Sequence, residues 1–101
     1  MTRPAYISTP AAKVLVRRLA VNVKTLRVEK GWTAAELAQR AGLHWRLVQN
    51  IEQQKNASSF ISVALLAETL DVTINQLIYK QMTIEGKNKV VRLPNGIVRS
   101  A

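Results

Sequence analysis

The side chains that could support catalysis or bind a metal are few and scattered in this 101-residue sequence. There is no cysteine and one histidine, His44, which excludes a thiolate zinc site, a cysteine nucleophile and a multi-histidine metal site. The six acidic residues fall on separate predicted elements, so no carboxylate pair shares a face for acid–base chemistry. The sequence also lacks a glycine-rich phosphate-binding loop. We therefore expect neither an enzyme nor a cofactor or metal site.

Basic side chains are the dominant chemical feature of the chain. Fifteen Lys and Arg against six Asp and Glu give a formal net charge of +9, which favours a polyanionic partner over solubility alone. No apolar run approaches the ~20 residues that span a bilayer, and the first ten residues lack a signal-peptide core. No segment has the pattern of a basic membrane-surface helix. These observations predict a cytoplasmic protein without a membrane partner.

The N-terminal part of the chain predicts an arm followed by a long helix. Residues 1–10 contain two prolines and little periodicity, which indicates a flexible arm. A helix is predicted over residues 11–30, with Thr9 as N-cap, Pro10 at the first helical position and Gly31 as C-cap. Its apolar stripe at helical spacing is Leu15, Leu19, Val23 and Leu26.

Two short helices separated by a glycine turn come next. Thr33 and Glu36 have the spacing of a capping box at the start of the second helix. Gly42 breaks the chain, and a third helix is predicted over roughly residues 44–54, with Leu47 or Val48 and Ile51 facing inward. This is a helix-turn-helix pattern over residues 33–54, in which the second helix of the pair enters the DNA major groove.

Two further helices complete an all-α domain of five helices over residues 11–81. The fourth is predicted to run from a cap at Ser58 or Ser59 to Leu70, and the fifth from Thr73 to near Lys80. Residues 82–101 form a short β-prone tail, since β-branched runs flank a turn signal at residues 94–96. The tail predicts a hairpin or a pair of edge strands over residues 88–100 that pairs with the same tail of a second subunit, or a disordered segment.

Five stretches, in order and with the expected spacing, resemble the Cro and lambda-repressor helix-turn-helix family between residues 19 and 78. They are residues 23–27, 31–38, 41–43, 48–52 and 67–73. The resemblance implies a lambda-repressor-like fold, binding to double-stranded DNA, and a third helix that acts as the recognition helix.

The resemblance also implies which residues read bases. The outward face of the recognition helix corresponds to Trp45, Arg46, Gln49 and Asn50. Arg46 is expected to take guanine in a bidentate contact, and Gln49 or Asn50 to take adenine. Trp45 departs from the polar residue usual in the family; it contacts thymine methyls or sugars, or packs against a partner protein.

Phosphate contacts are implied by the same resemblance. The amide end of the second helix at Thr33 is expected to point at a phosphate, although Ala34 replaces the DNA-contacting Gln of the family. In the loop after the recognition helix, Lys55 keeps a phosphate-contact position beside Asn56, while Gln54 stands where the family has glycine.

Two other DNA-site residues carry open alternatives. His44 occupies a position where the family has a Ser or Thr N-cap. Because histidine caps poorly, we expect its ring either to aim at a phosphate or to be a partly exposed turn residue. Arg40 contributes at the rim of the interface or is a solvated surface charge.

Other residues are assigned to the scaffold or to self-association. Arg27 and Glu52 match a family pair that forms a structural salt bridge between the first and third helices. Four apolar residues exceed the needs of one small core and are either a dimer contact or scattered surface residues: Val14, Val16, Leu65 and Ile74. Four basic residues either add phosphate contacts or form a solvated face: Arg3, Lys13, Arg17 and Arg18.

The resulting hypothesis is a dimeric, sequence-specific transcription regulator, a repressor that acts by occlusion. The alternative is an antitoxin that binds both DNA and a toxin protein, because some antitoxins of this fold carry a short β tail. A non-specific architectural or phage accessory protein is a third class, kept open by Ala34 and Trp45.

Overall fold

The computed structural model describes residues 9–55, 59–85, 90–92 and 98–99. Its helices are α1 (Pro10–Glu29), α2 (Ala34–Ala41), α3 (Trp45–Glu52), α4 (Phe60–Thr69) and α5 (Ile74–Ile78). Three short strands follow, β1 (Thr83–Glu85), β2 (Val90–Arg92) and β3 (Val98–Arg99). The predicted fold class, five helices followed by a β-prone tail, is confirmed.

Helix α1 begins as predicted and ends one residue earlier than predicted. The Thr9 hydroxyl accepts a hydrogen bond from the Ala12 amide, and Pro10 is the first helical residue. Lys30, not Gly31, is the C-cap; Gly31 lies just beyond it at φ +74°, a left-handed conformation that glycine adopts without strain. Its amide donates to the Val28 carbonyl and so closes the end of the helix.

The buried stripe of α1 differs from the predicted one at its N-terminal end. Leu15 is 45% exposed, whereas Val16 is 7% exposed and belongs to the core with Leu19, Val23 and Leu26. The prediction was wrong for Leu15 as a core residue and for Val16 as a surplus one. Adjacent residues on a helix are 100° apart, so both Leu15 and Val16 lie near the edge of the apolar stripe. Which of the two is buried depends on the elements that pack against α1.

Helices α2 to α5 begin at side-chain caps. Thr33 and Thr73 each open a capping box, and Ser59 rather than Ser58 caps α4. Helix α3 ends at Glu52, two residues before the predicted end, because Gln54 adopts φ +60°. Helix α5 likewise ends at Ile78 and does not reach Lys80.

A single core joins the five helices. Its fully buried large residues come from every helix: Val23, Leu26, Leu37, Val48, Ile51, Leu66, Leu70 and Leu77. Ile74 is partly buried and packs against this cluster, while Val14 and Leu65 are 45% and 36% exposed. Of the four apolar residues predicted to be surplus, these last two lie at the surface.

A fully buried asparagine fastens the end of the helical domain to α1. Asn22 donates from its side-chain amide to the carbonyls of Leu77 (2.6 Å) and Lys80 (2.8 Å). Its side-chain oxygen accepts from the Met82 amide at 2.7 Å. One side chain therefore satisfies three backbone groups where α5 ends and the chain turns toward β1.

The strands form an antiparallel sheet in the order β1-β2-β3. Ile84 pairs with Val91, and Val91 pairs in turn with Arg99. The predicted hairpin covered residues 88–100, where β2 and β3 lie, and β1 was not anticipated. Residues 1–8 of the predicted arm lie outside the described residues. The turn signal at residues 94–96 also lies outside them.

Candidate nucleic-acid interface

The turn between α2 and α3 is short and backbone-bonded. Gly42 caps α2 at φ +74° and its amide donates to the Gln39 carbonyl, while the Leu43 amide donates to the Ala38 carbonyl at 2.8 Å. These bonds satisfy carbonyls at the end of α2 and allow the chain to turn into α3 within three residues. The geometry fixes α3 across α2.

Helix α3 is buried along one side only. Val48 and Ile51 are 0% and 1% exposed and pack in the core. The opposite side leaves Trp45, Arg46 and Gln49 exposed, with Asn50 half-buried beside them. The structure thus brings the four predicted base-reading residues onto one accessible face of α3.

The first turn of α3 is organised around Trp45. The Arg46 guanidinium lies over the indole ring at 5.2 Å from its centroid, and the His44 ring stacks on the same indole at 5.8 Å. Cation–π contact of this kind holds a flexible arginine near one orientation without removing its donors from solvent. The indole itself stays 44% exposed.

His44 is the N-cap of α3, which corrects the prediction that a histidine caps poorly here. Its Nδ1 accepts a hydrogen bond from the Arg46 amide at 3.1 Å. A neutral imidazole nitrogen is a hydrogen-bond acceptor, and at this position it takes the place of a serine or threonine hydroxyl. His44 therefore links the cap of α3 to Trp45.

The N-terminal end of α2 combines the partial positive charge of its backbone N–H groups with the negative charge of the Glu36 carboxylate. The Thr33 hydroxyl accepts from the Glu36 amide at 3.1 Å, and the Glu36 carboxylate accepts from the Thr33 amide at 3.0 Å. The bonds with Thr33 lower the pKa of Glu36. A phosphate at Thr33 would share this helix end with the Glu36 charge, so the Thr33 contact stays a prediction.

The segment after α3 presents one lysine. Lys55 is exposed, and its amide donates to the Asn50 carbonyl at 2.9 Å, which fixes the backbone beside the end of α3. Gln54 holds the left-handed conformation at the position where the resemblance places glycine. Asn56 lies outside the described residues.

Arg40 lies on an aromatic ring of its own helix–loop unit. Its guanidinium is 4.5 Å from the centroid of the Trp32 ring, and the Lys30 ammonium is 5.4 Å from the same centroid. Trp32 therefore gathers two cations at the junction of α1 and α2. Sequence reasoning missed this role of Trp32, which is partly buried against the core, although Lys30 two residues before it is a recognisable signal.

Arg27 and Glu52 form a two-point ion pair between α1 and α3. The Arg27 Nε and one terminal nitrogen donate to the two Glu52 oxygens at 2.7 and 2.8 Å. The other terminal nitrogen donates to the Trp32 carbonyl at 2.8 Å. Hydrogen bonding to Glu52 raises the pKa of Arg27, and the two side chains are only 14% and 10% exposed.

Two absences hold within the described residues. No three His, Asp or Glu side chains there approach closely enough to share a metal ion. None of the described helices combines the length and apolar character required to cross a membrane.

The sequence is similar to a known protein family and to a transcription factor from Neisseria. The sequence model of the helix-turn-helix family matches residues 23–77. A protein described as a hypothetical transcription factor from Neisseria meningitidis serogroup B is 32% identical over 78 residues, covering 77% of this chain and 72% of the relative.

Two solved structures share the fold. The crystal structure of the hypothetical transcription factor NHTF from Neisseria superposes with a TM-score of 0.63 at 32% identity, over 76% of this chain and 86% of that one. The clp gene regulator ClgR from Corynebacterium glutamicum gives a TM-score of 0.59 over 64% of this chain and 69% of that one. Its identity is 20%, so it shows a common fold alone.

Proposed function

The chain belongs to the helix-turn-helix family, and from this premise we propose that it is a dimeric transcription repressor that reads a specific double-stranded DNA operator. It is a DNA-binding transcriptional regulator, as its family and its Neisseria relative indicate. One observation carries the finer proposal. The outward face of α3 is accessible and polar, and the opposite face is fixed in the core.

Charge favours DNA as the ligand of this face. Glu52, the one carboxylate of α3, is paired with Arg27, so its negative charge does not repel DNA phosphates. Arg46 and Lys55 lie at the two ends of the α3 segment and are both exposed. Lysine and arginine contacts with phosphate supply most of the affinity in such complexes, whereas base contacts supply selectivity.

The arrangement of Trp45 and Arg46 suggests the bases that are read. An arginine fork fits the O6 and N7 acceptors of guanine, and an apolar surface fits the thymine methyl group. Because the Arg46 guanidinium rests on the Trp45 ring, we expect both groups to enter the groove together. We expect each half-site to contain a guanine next to a thymine, with Gln49 or Asn50 taking an adenine.

Repression by occlusion is the simplest action for this chain. The residues that the structure describes form one helical domain followed by a small sheet, and such a domain suffices for repression by occlusion. We expect no catalytic activity, no cofactor and a cytoplasmic site of action.

The proposal is tested by the salt dependence of binding to a mixed-sequence DNA duplex, measured by fluorescence anisotropy. The logarithm of affinity should fall linearly with the logarithm of salt, with a slope of about −0.9 per phosphate contact. Lys55→Ala should reduce the magnitude of that slope by about 0.9. Lys80→Ala is the matched control, since Lys80 is an exposed lysine beyond α5, and it should leave the slope unchanged. Equal effects of the two variants would contradict the assignment of the α3 segment as the DNA-binding face.

The antitoxin alternative is favoured by two observations, the exposed Trp45 indole and the three-stranded sheet after α5. An antitoxin would form a stable complex with the product of a neighbouring gene. Coexpression and co-purification test this. Loss of the complex on deletion of residues 83–101, which keeps the buried Met82 and leaves the helical domain folded, would support the alternative.

A further inference from the structure

Helix α4 is apolar on both of its sides. Its inner side packs in the core through Val63, Leu66 and Ala67. We define the α4 outer face as Phe60, Ile61, Ala64, Leu65 and Glu68. Phe60 is 70% exposed and Ile61 65%, and Glu68 is the one charged residue of the helix. A helix that is hydrophobic all round is normally covered all round, so this face lacks a partner within the described part of the chain.

An apolar cleft continues the α4 outer face toward α1. It has a volume of about 240 Å³ and opens between the N-terminal half of α1 and the start of α4, with Leu15, Leu19, Phe60 and Ile78 among its lining residues. Val14 and Leu15, each 45% exposed, extend the apolar surface along α1. Three helices therefore contribute to this apolar surface, since Ile78 belongs to α5, whereas exposed apolar side chains on a monomer are usually scattered.

Charge is segregated along the sequence in a way that concerns this surface. Residues 56–79 contain no Lys or Arg and two acids, Glu68 and Asp71, whereas the rest of the chain holds fifteen basic and four acidic residues, a net charge of +11. Two copies approaching through other faces would meet like charges, whereas the α4 part of this surface carries no basic residue. A DNA phosphate backbone, in contrast, would gain nothing here.

The basic end of α1 supplies complementary charge. Lys13, Arg17 and Arg18 lie in the N-terminal half of α1, beside the residues that line the cleft, and α1 has no acid before Glu29. In a two-fold pair, the surface formed by α1 and α4 of one copy meets the same surface of the other, so every contact occurs twice. Basic α1 of each copy then approaches Glu68 of the other.

We propose that the α4 outer face and the adjoining cleft are the surface through which a second copy of this chain docks in a two-fold dimer. The inference rests on the proposed function, in that it supplies the interface of the proposed dimeric regulator. It assigns this role to the helical domain and not to the C-terminal strands.

Sedimentation equilibrium on the full chain tests the interface. Ile61→Gln introduces a good helix former and removes apolar area from the interface. Because a two-fold interface contains the substituted side chain twice, we expect the dimer dissociation constant to rise about a hundredfold. Val28→Gln is the matched control, a substitution of a valine 49% exposed at the other end of α1, and it should change the constant less than about threefold. Thermal unfolding followed by circular dichroism establishes that both variants are folded. An unchanged dimer in Ile61→Gln, or a wild-type chain that stays monomeric, overturns the proposal.

Charge reversal tests the orientation. Glu68→Lys should weaken the dimer about tenfold at low salt and less at high salt, because it brings two lysines toward two basic helix ends. A dimer indifferent to Glu68→Lys at low salt overturns the two-fold arrangement proposed here.

DNA binding separates this proposal from the proposed function. Ile61→Gln should bind a duplex carrying one half-site as the wild type does, and lose the extra affinity for a duplex carrying two. If Ile61→Gln retains that extra affinity and its dimer, the interface is wrong while the regulator stands. If the wild type dimerises through α4 and does not bind DNA, the interface stands while the regulator is wrong.

Discussion

Replacing Glu52 with alanine removes one whole side of the ion pair that ties α3 to α1. Arg27 would keep its bond to the Trp32 carbonyl and lose two short bonds of 2.7 and 2.8 Å. Its side chain is only 14% exposed, so water replaces those partners poorly. The variant therefore leaves a largely buried charge short of hydrogen-bond acceptors.

The expected cost follows from that burial. Removing one partner of a buried ion pair costs about 3–5 kcal/mol, and the retained Trp32 bond and partial exposure place Glu52→Ala near 3 kcal/mol. A domain of this size has a free energy of unfolding of about 5–15 kcal/mol. At about 4–8 °C per kcal/mol, the midpoint of thermal unfolding should fall by roughly 10–25 °C.

Thermal and urea unfolding, followed by circular dichroism, measure this loss. Gln39→Ala is the matched control, because Gln39 is an exposed polar residue on another helix, and it should change stability by less than about 0.5 kcal/mol. The duplex sequence preferred by folded Glu52→Ala should be that of the wild type, since Glu52 faces Arg27. A Glu52→Ala protein as stable as the parent would refute the reasoning.

Three further substitutions test other features of the fold. Asn22→Leu keeps the shape of the buried side chain but removes the hydrogen-bond partner of two carbonyls and one amide. The free energy of unfolding, measured by urea titration, should therefore drop by about 3 kcal/mol. No loss would contradict the role of Asn22 in fastening the end of the helical domain to α1. Gln54→Gly relieves a left-handed conformation at φ +60° and should raise stability by about 0.5–1 kcal/mol, and a decrease would show that Gln54 is not strained. Hydrogen bonds from Thr33 lower the folded pKa of Glu36, so its contribution is present above the unfolded pKa of about 4.3 and is lost as the pH falls through the lower folded value. The stability difference between wild type and Glu36→Ala should accordingly shrink between about pH 6 and about pH 3, and a constant difference would contradict the capping box.

Features that depend on neighbours along the chain were predictable from the sequence. Thr9, Thr33 and Thr73 cap helices because their hydroxyls reach amides three residues on, and Gly42 ends α2 because a left-handed residue is needed there. These determinants are local, so residue type and spacing suffice to identify them.

Features that depend on tertiary packing were not predictable from periodicity. Asn22 looks like a polar interruption of an apolar stripe, and its use appears only when α5 and Met82 are placed against α1. The exchange of Leu15 for Val16 in the core has the same cause. The pairing of Arg27 with Glu52 spans 25 residues and was implied by the family resemblance alone.

For the candidate DNA site, the sequence supplied the residues and the structure supplied their organisation. The face formed by Trp45, Arg46 and Gln49 follows from helical spacing once α3 is oriented by its buried side. The stacking of His44 and Arg46 on Trp45 does not follow from spacing, because it depends on side-chain conformations at the first turn of α3.

We propose that α3 reads a specific DNA sequence within a two-fold dimer. Selection of bound duplexes from a random-sequence library at near-physiological salt tests this proposal. We expect a palindromic consensus with half-sites about one helical turn apart, and loss of a guanine preference in Arg46→Ala. Recovery of bound duplexes without any consensus, from wild type and Arg46→Ala alike, would contradict it.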